Sequence, residues 1–403
     1  MTAQHPYYAD ALAAFQAGVK AADPCAAVRD HFPVFDQMPL VISVGKAAVA
    51  MARAADQALG RLAGAIVVTN PENADDVAGA TVFAAAHPVP DAVGLKAGQA
   101  VITAFERAPK GQPVLCLISG GGSALLPAPV AAVSLADKAA VNAALLASGA
   151  DIVTMNMVRQ QLSDLKGGGL LRFAKGPVTA LILSDVIGDD LRAIASGPTV
   201  APIGDPAQAI QTLKDLHIWD DLPPSVHTAL QRDHVKTLLP KARNMMVGSN
   251  GISVAAMADA LPRATHHQTP LEGNVKDAVD WVAALPKGAH IFGGETTVTL
   301  TGTGKGGRNQ DLALRLALRA ERDRWQGPWL YLQAGSDGRD GPTDAAGGVV
   351  DQDTLTRIRA AGMDPQAKLN NNDAYPALKA ADALLITGGT GTNVADLGVL
   401  IRG

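Results

Sequence analysis

Cysteine, aromatic residues and charge are all scarce in this chain of 403 residues, and each scarcity narrows what it can be. Cys25 and Cys116 are its only thiols, far apart and without metal-ligand spacing, so no thiol metal site is expected. Cys116 sits inside an apolar run and reads as a buried, inert thiol. Charged residues make up 18%, the net charge is −4 and no basic run occurs, so the electrostatic footprint of a nucleic-acid binder is missing. No stretch approaches the roughly 18 apolar residues of a membrane span. The N-terminus lacks a charged start followed by an apolar core, so a soluble cytoplasmic protein is expected. With aromatics at 4%, the abundant residues are aliphatic ones and 41 glycines, a composition that suits α/β architecture with many glycine-bearing turns.

Apolar runs alternate with helical segments, which predicts βα units and a largely parallel sheet. Strands are expected at 39–45, 64–70, 114–119 and 178–185, with helices at 46–59 and 93–107. Ser134 with Asp137 three residues on forms a capping-box pattern. Around residues 202–243 the texture changes to short, proline-punctuated segments ending in LLPKARN. A soft boundary near residue 240 divides the chain into an N-terminal domain, 1–240, and a smaller C-terminal one, 241–403. Beyond it, strands are expected at 244–250, 290–302 and 329–338, helices from about 251 and over 309–321, and a closing LLITGGTGTNVADL.

The most informative stretch is VLCLISGGGSALL, residues 114–126. A strand stops at Ser119, Gly120, Gly121 and Gly122 follow, and Ser123 opens a helix. Glycines at a strand-to-helix turn let backbone N–H groups approach an anion, and a helix start adds donors and the positive end of a dipole. The turn reads as a phosphate cradle, although such turns also occur as plain connections. Lys46 follows a strand and a glycine at the first turn of a helix, against the dipole. An ammonium there can hold an anion, or simply lie solvated with its stem on the surface. LSDVIGDD places Asp185, Asp189 and Asp190 past another strand, where carboxylates can bind magnesium through water or accept a hydroxyl proton. In GGETTVTLTGTGKGGRNQD, Arg308 enters a helix and offers a planar, always-charged fork for a carboxylate or phosphate. Asp337, Asp340 and Asp344 lie among glycines and read equally as ligands or turn formers. In the helix from residue 151, Met155, Val158, Leu162 and Leu165 form an apolar stripe. Asn156, Arg159, Ser163 and Lys166 run beside it as a polar stripe that faces either an anionic site or solvent.

Familiar nucleotide strings are absent. G-x-x-x-x-G-K-S/T does not occur, and G-x-G-x-x-G fails because Leu125 stands where its third glycine belongs, which disfavours a nicotinamide-dependent dehydrogenase. Ser123 is also not in a G-x-S-x-G nucleophile elbow.

The ordered strings SVGKAA, ISGGGSALL, LSDVIGDD with IASGPT, GGETTV with GKGGRNQ, GSDGRDGPTDAAG, and NNNDAY with TGGTGTNVADL resemble the glycerate 2-kinase family, the MOFRL-type class, over nearly the whole chain. The resemblance implies two α/β domains, a larger Rossmann-like one with a parallel sheet and a smaller one, with the active site in the cleft between them. It implies transfer of the ATP γ-phosphate to the 2-hydroxyl of D-glycerate, with Mg²⁺. By motif, Lys46 and Arg308 match the family's functional cations, and the SDVIGD acids contain its catalytic aspartate, with Asp189 favoured over Asp185. Ser119, Gly120, Gly121, Gly122 and Ser123 are expected to hold ATP, Lys46, Arg159, Lys166 and Arg308 the acid substrate, and Asp185 and Asp189 the metal. Residues 166–170 read KGGGL where relatives often have KGGRL, and Asp311 and Ala374 stand where Glu and Ser are common. Some relatives carry the label hydroxypyruvate reductase, against which the missing dinucleotide string argues. A non-catalytic nucleotide or sugar-acid sensor is the other alternative, and monomer and dimer both stay open.

Overall fold

The computed structural model describes residues 4–232 and 239–403, so residues 233–238, which include the start of LLPKARN, lie outside the described residues. The alternation of apolar runs and helices builds two separate sheets, each the centre of its own compact unit. One unit is Pro24–Val247, and the other joins Met1–Asp23 to Gly248–Gly403.

The first unit holds β1 (Leu40–Val44), β2 (Ala65–Thr69), β3 (Ala80–Ala84), β4 (Val114–Ser119), β5 (Val178–Leu183) and β6 (Arg243–Gly248). Their order in the sheet is β3-β2-β1-β4-β5-β6. β1 runs parallel to both β2 and β4, with Ile42 opposite Ile66 on one side and Cys116 on the other. Every residue of β1, β2 and β4 is buried. That is why these strands read as unbroken aliphatic runs: helices cover both faces of a parallel sheet. β3 is half exposed at the edge, and its mixed ATVFA pattern gave no strand signal. The helix Leu135–Ala147 opens with the expected capping box, Asp137 N–H donating to Ser134 Oγ at 3.1 Å and Ser134 N–H to Asp137 at 2.9 Å.

The second unit holds β7 (Ala264–His266), β8 (Leu271–Asn274), β9 (Gly288–Thr297), β10 (Trp329–Gly335), β11 (Gly347–Asp351), β12 (Leu384–Leu385) and β13 (Asp396–Arg402). Its order is β12-β11-β10-β13-β9-β7, with β8 beside β9. β13 lies centrally and antiparallel to both β10 and β9, while β7 and β8 run parallel to β9, so this sheet is mixed.

The expected division at residue 240 is corrected in two respects. The break falls at 247/248, at the last residue of β6, and the first 23 residues belong with the C-terminal sheet. Helix Tyr8–Ala21 packs Ala11, Ala14 and Phe15 into one apolar cluster with Val254, Met257, Leu397 and Val399. Its small residues permit this closeness: a Cβ on Gly18 would stand 2.7 Å from Met257 Cγ. Among the described residues no helix is long and apolar enough to cross a membrane.

Phe15 is 1% exposed, so Phe15→Ala is expected to cost about 3–5 kcal/mol. Urea denaturation measures this, and the loss should appear in the transition of the unit carrying Trp325 and Trp329.

Candidate active site

In a sheet ordered 3-2-1-4-5-6 the chain reverses direction between β1 and β4, and ligands gather outside the carboxyl ends of the strands there. Gly45 leaves β1 and donates to Val68 O at 3.0 Å, Lys46 N–H donates to Gly120 O at 2.9 Å, and Ala47 N–H donates to Ser119 Oγ at 3.1 Å. The ends of β1 and β4 are thereby clasped. The approach is so close that a Cβ on Gly45, where φ is +124°, would stand 2.1 Å from Ser119 Oγ. The helix that follows begins at Ala48, so Lys46 occupies the connecting turn rather than the first helical turn.

Each glycine of the triplet makes room for a different neighbour. A Cβ on Gly120 would lie 2.0 Å from Asp185 Oδ2, and one on Gly122 would lie 2.9 Å from Ala195 Cβ. At Gly121, φ +84°, the neighbours are His87 Cδ2 and Lys46 Cγ, each at 3.3 Å. The helix containing Ser123 is a single turn, Gly122–Leu125, and its dipole is correspondingly small. What the turn offers an anion is bare backbone approach and the nearby Lys46 side chain.

Asp185, at the end of β5, faces this turn. Burial pushes its carboxyl above the ordinary range, and the Lys46 charge opposes the rise. His87 was missed as a functional candidate. Burial first, and then the Lys46 ammonium, hold its imidazole below the usual value, against the pull of Glu72. Asp189 lies further along the acidic loop in a left-handed conformation, φ +54°, and its Oδ1 is a buried oxygen without a hydrogen-bond partner. Ala195 and Ser196 are left-handed as well, at +49° and +60°. Such backbone costs roughly 1–2 kcal/mol per non-glycine residue and persists only where its surroundings hold it. Here the hold is visible: Ser196 Oγ donates to Asn156 Oδ1 at 3.0 Å and lies 2.8 Å from Ser123 Oγ, and its carbonyl accepts from Gly167 N–H and Gln160 Nε2.

The polar stripe of the helix from residue 151 faces inward. Asn156, Ser163 and Lys166 are all buried, so neither stripe is a solvated face. The helix itself ends at Gln161, which leaves Lys166 in the turn beyond it. Lys166 Nζ donates to Ser123 O at 2.5 Å and Ser123 Oγ at 2.7 Å, behind the glycine turn. Arg159 turns instead to helix Leu135–Ala147, where its Nε donates to Asn142 Oδ1 at 2.7 Å. Lys46, Asp185, Ser119–Ser123 and Lys166 are therefore brought together, while Arg159 is directed elsewhere.

Arg308 belongs to the second unit and is no free cation. It grips Asp396 through Nε at 2.7 Å and a second nitrogen at 3.0 Å, and pairs with Glu295 at 2.7 Å. Burial opposes its charge, yet the bond to Asp396 and the nearby acids raise it above the usual guanidinium value. Asp340 caps the same helix by accepting from Asn309 N–H at 3.1 Å and Gln310 N–H at 2.8 Å. Burial pushes the Asp340 carboxyl up to about 7 against those two bonds. The NNND segment, whose role the sequence left open, holds the neighbouring loop. Asn372 Oδ1 accepts from Thr301 and Gly302 N–H, and Asp373 Oδ1 from Lys305 N–H.

Among the described residues no three His, Cys, Asp or Glu side chains gather as a metal-binding group. The acidic loop nevertheless suits a hard cation: Asp185 and the orphaned oxygen of Asp189 are two carboxylate donors, and magnesium characteristically takes one or two of these beside water and phosphate.

The chain matches the family described as a domain of unknown function, DUF4147, over residues 10–231, and the MOFRL family over residues 288–396. It is 37% identical to the glycerate 2-kinase of Pyrococcus horikoshii, over 95% of this chain and 94% of that protein. It is 38% identical to an Agrobacterium vitis protein provisionally named a hydroxypyruvate reductase, over 90% of this chain and 99% of that one. The crystal structure of the glycerate kinase of Thermotoga maritima is similar with a TM-score of 0.90 at 36% identity, covering 97% of this chain and 98% of that one.

The clasp predicts unequal glycine substitutions. Gly60 also has positive φ but no atom within 4 Å of an added Cβ, so Gly60→Ala is expected to cost about 1–2 kcal/mol of backbone strain. Gly45→Ala adds the clash with Ser119 and should cost at least about 2 kcal/mol more in chemical denaturation.

Proposed function

We propose, for a chain that belongs to the glycerate kinase family and is a kinase, that it transfers the γ-phosphate of ATP to the 2-hydroxyl of D-glycerate, giving 2-phosphoglycerate and ADP. Phosphorylation of glycerate is the part the relatives support directly; the donor and the position of the new phosphate are our reading. The observation that carries it is the convergence of Lys46, the Gly120–Gly122 turn and Asp185 at the reversal point of a nucleotide-type sheet.

Phosphoryl transfer asks a protein mainly for positioning and charge neutralisation. In this reading the Ser119–Ser123 turn receives the phosphate tail through its backbone. Lys46, fixed by its own N–H bond to Gly120, neutralises oxygens that gather charge in the transition state. Asp185 is placed to hold Mg²⁺, which when bound supplies positive charge to the phosphate oxygens. Asp189 orients the attacking hydroxyl and accepts its proton at the orphaned Oδ1. Arg308 is the second functional cation, its fork oriented by Asp396 and Glu295. Lys166, by contrast with the earlier expectation, acts behind the turn through Ser123 rather than on the acid substrate.

A reductase reading has only the name of relatives behind it. An ADP-release assay on D-glycerate, with phosphorus NMR of the product, tests donor and regiochemistry together. Loss of nicotinamide absorbance on hydroxypyruvate without ATP would instead favour reduction.

Lys46→Ala is expected to lower kcat by about 10²–10³-fold or more with the circular dichroism spectrum unchanged. Arg308→Ala also strands the buried Asp396, a loss of about 3–5 kcal/mol, so Arg308→Lys is the cleaner variant. It keeps a charge but not the fork, and kcat/KM should still fall. Asp185→Asn should raise the Mg²⁺ concentration needed for half-maximal rate, whereas Asp189→Asn should lower kcat at saturating Mg²⁺.

A further inference from the structure

Lys166 is a buried basic side chain for which the fold supplies no acid. It is 5% exposed, and its two polar contacts are the carbonyl and hydroxyl of Ser123. The charges that bear on it are themselves cations, Lys138 from helix Leu135–Ala147 and Arg159 from helix Ile152–Gln161. These two also end on neutral acceptors, Lys138 Nζ on Leu162 O at 3.2 Å and Arg159 Nε on Asn142 Oδ1. The nearby carboxyl, Asp164, interacts with Arg232, Arg172 and Lys138. Among the described residues none of Lys138, Arg159 and Lys166 takes part in a salt bridge. Burial, with Lys138 and Arg159 adding to it, drives the Lys166 amine well below its ordinary value. Lys138 is brought to about 8, chiefly by burial and next by Arg159, against the pull of Asp164.

The hydrogen bonds aim this group at the turn. Ser196 gives its hydroxyl proton to Asn156 Oδ1, so the Ser123 hydroxyl donates to Ser196 Oγ and receives from Lys166. The relay Lys166 to Ser123 to Ser196 to Asn156 runs in one sense and leaves every member bonded. It also anchors Ser123, the last residue of the glycine turn, from behind. Asp164 bears on Lys138, whereas the charges bearing on Lys166 are cations alone, so charging the buried Lys166 amine is costly and the cost falls when an anion arrives from outside.

We infer that Lys166 is the counter-ion of a phosphate group seated at the Ser119–Ser123 turn, and that seating it draws one proton from solvent onto the Lys166 amine. This rests on the reading of the turn given under the proposed function. Lys166 is a positioning residue, since it reaches the anion through Ser123. The sign follows from linkage: an anion one residue away favours the ammonium, so the complex binds more protons than the free protein. Affinity for the phosphate ligand therefore falls as pH rises through the interval between the two ionisations, by at most about tenfold in Kd per pH unit for one proton.

Calorimetry of ADP binding in the presence of Mg²⁺, in buffers of different ionisation enthalpy, reads the number of protons taken up. From pH 8 upward the phosphates of ADP are already ionised and contribute none. The expected result is uptake approaching one proton for the unmodified protein, a smaller uptake for Lys138→Met, which removes one of the cations that hold the Lys166 amine down, and none for Lys166→Met. Lys166→Arg, a fixed cation, should bind without uptake and with little pH dependence. Binding whose heat is independent of the buffer overturns this inference and leaves the phosphate reading of the turn intact. So does uptake that persists in Lys166→Met. Absence of ADP binding to the unmodified protein overturns both.

Discussion

The candidate site depends on the clasp between the ends of β1 and β4. Two hydrogen bonds, Lys46 N–H to Gly120 O and Ala47 N–H to Ser119 Oγ, bring the two strand exits together, and only a residue without a Cβ can stand at Gly45 between them. The position of Lys46 follows from this, as does the course of the triple-glycine turn. Asp185 and Ala195 then pack into spaces that side chains at Gly120 and Gly122 would fill. A strand reversal point is a common place for a ligand; here it is made specific by glycines that each admit a different neighbour.

Behind the turn, Ser196, left-handed like Asp189 and Ala195, is held by a buried polar network. Strain of this kind is retained where a backbone conformation matters more than its cost. Lys166 joins that network through Ser123 without a salt bridge among the described residues, and an anion seated at the turn would supply the opposite charge. In the other unit the logic is opposite: Arg308 is held by Asp396 and Glu295, so its orientation is set by acids of its own unit.

Much of the first sheet was legible because its strands are buried on both faces and read as plain aliphatic runs. The capping box at Ser134 was legible because it is local. β3 escaped notice as a half-exposed edge strand. β13 escaped because DLGVLIR follows a glycine-rich loop, and its central place is decided by pairing with strands far away in sequence. The same distance hid the Arg308–Asp396 pair, 88 residues apart, and the Asp340 cap. Periodicity found the polar stripe with Lys166 but not its direction, because a 3.6-residue period does not say which face a helix turns to the core. The N-terminal helix was placed in the wrong unit for a related reason, since only packing against Met257 and Leu397 decides where it belongs.

The most direct measurement is a crystal structure with Mg²⁺ and a non-hydrolysable ATP analogue. The account predicts phosphate oxygens within hydrogen-bond reach of the backbone N–H groups between Gly120 and Ser123, with the Lys46 ammonium alongside. An analogue whose phosphates bind away from the β1 and β4 ends, leaving that turn empty, would contradict it.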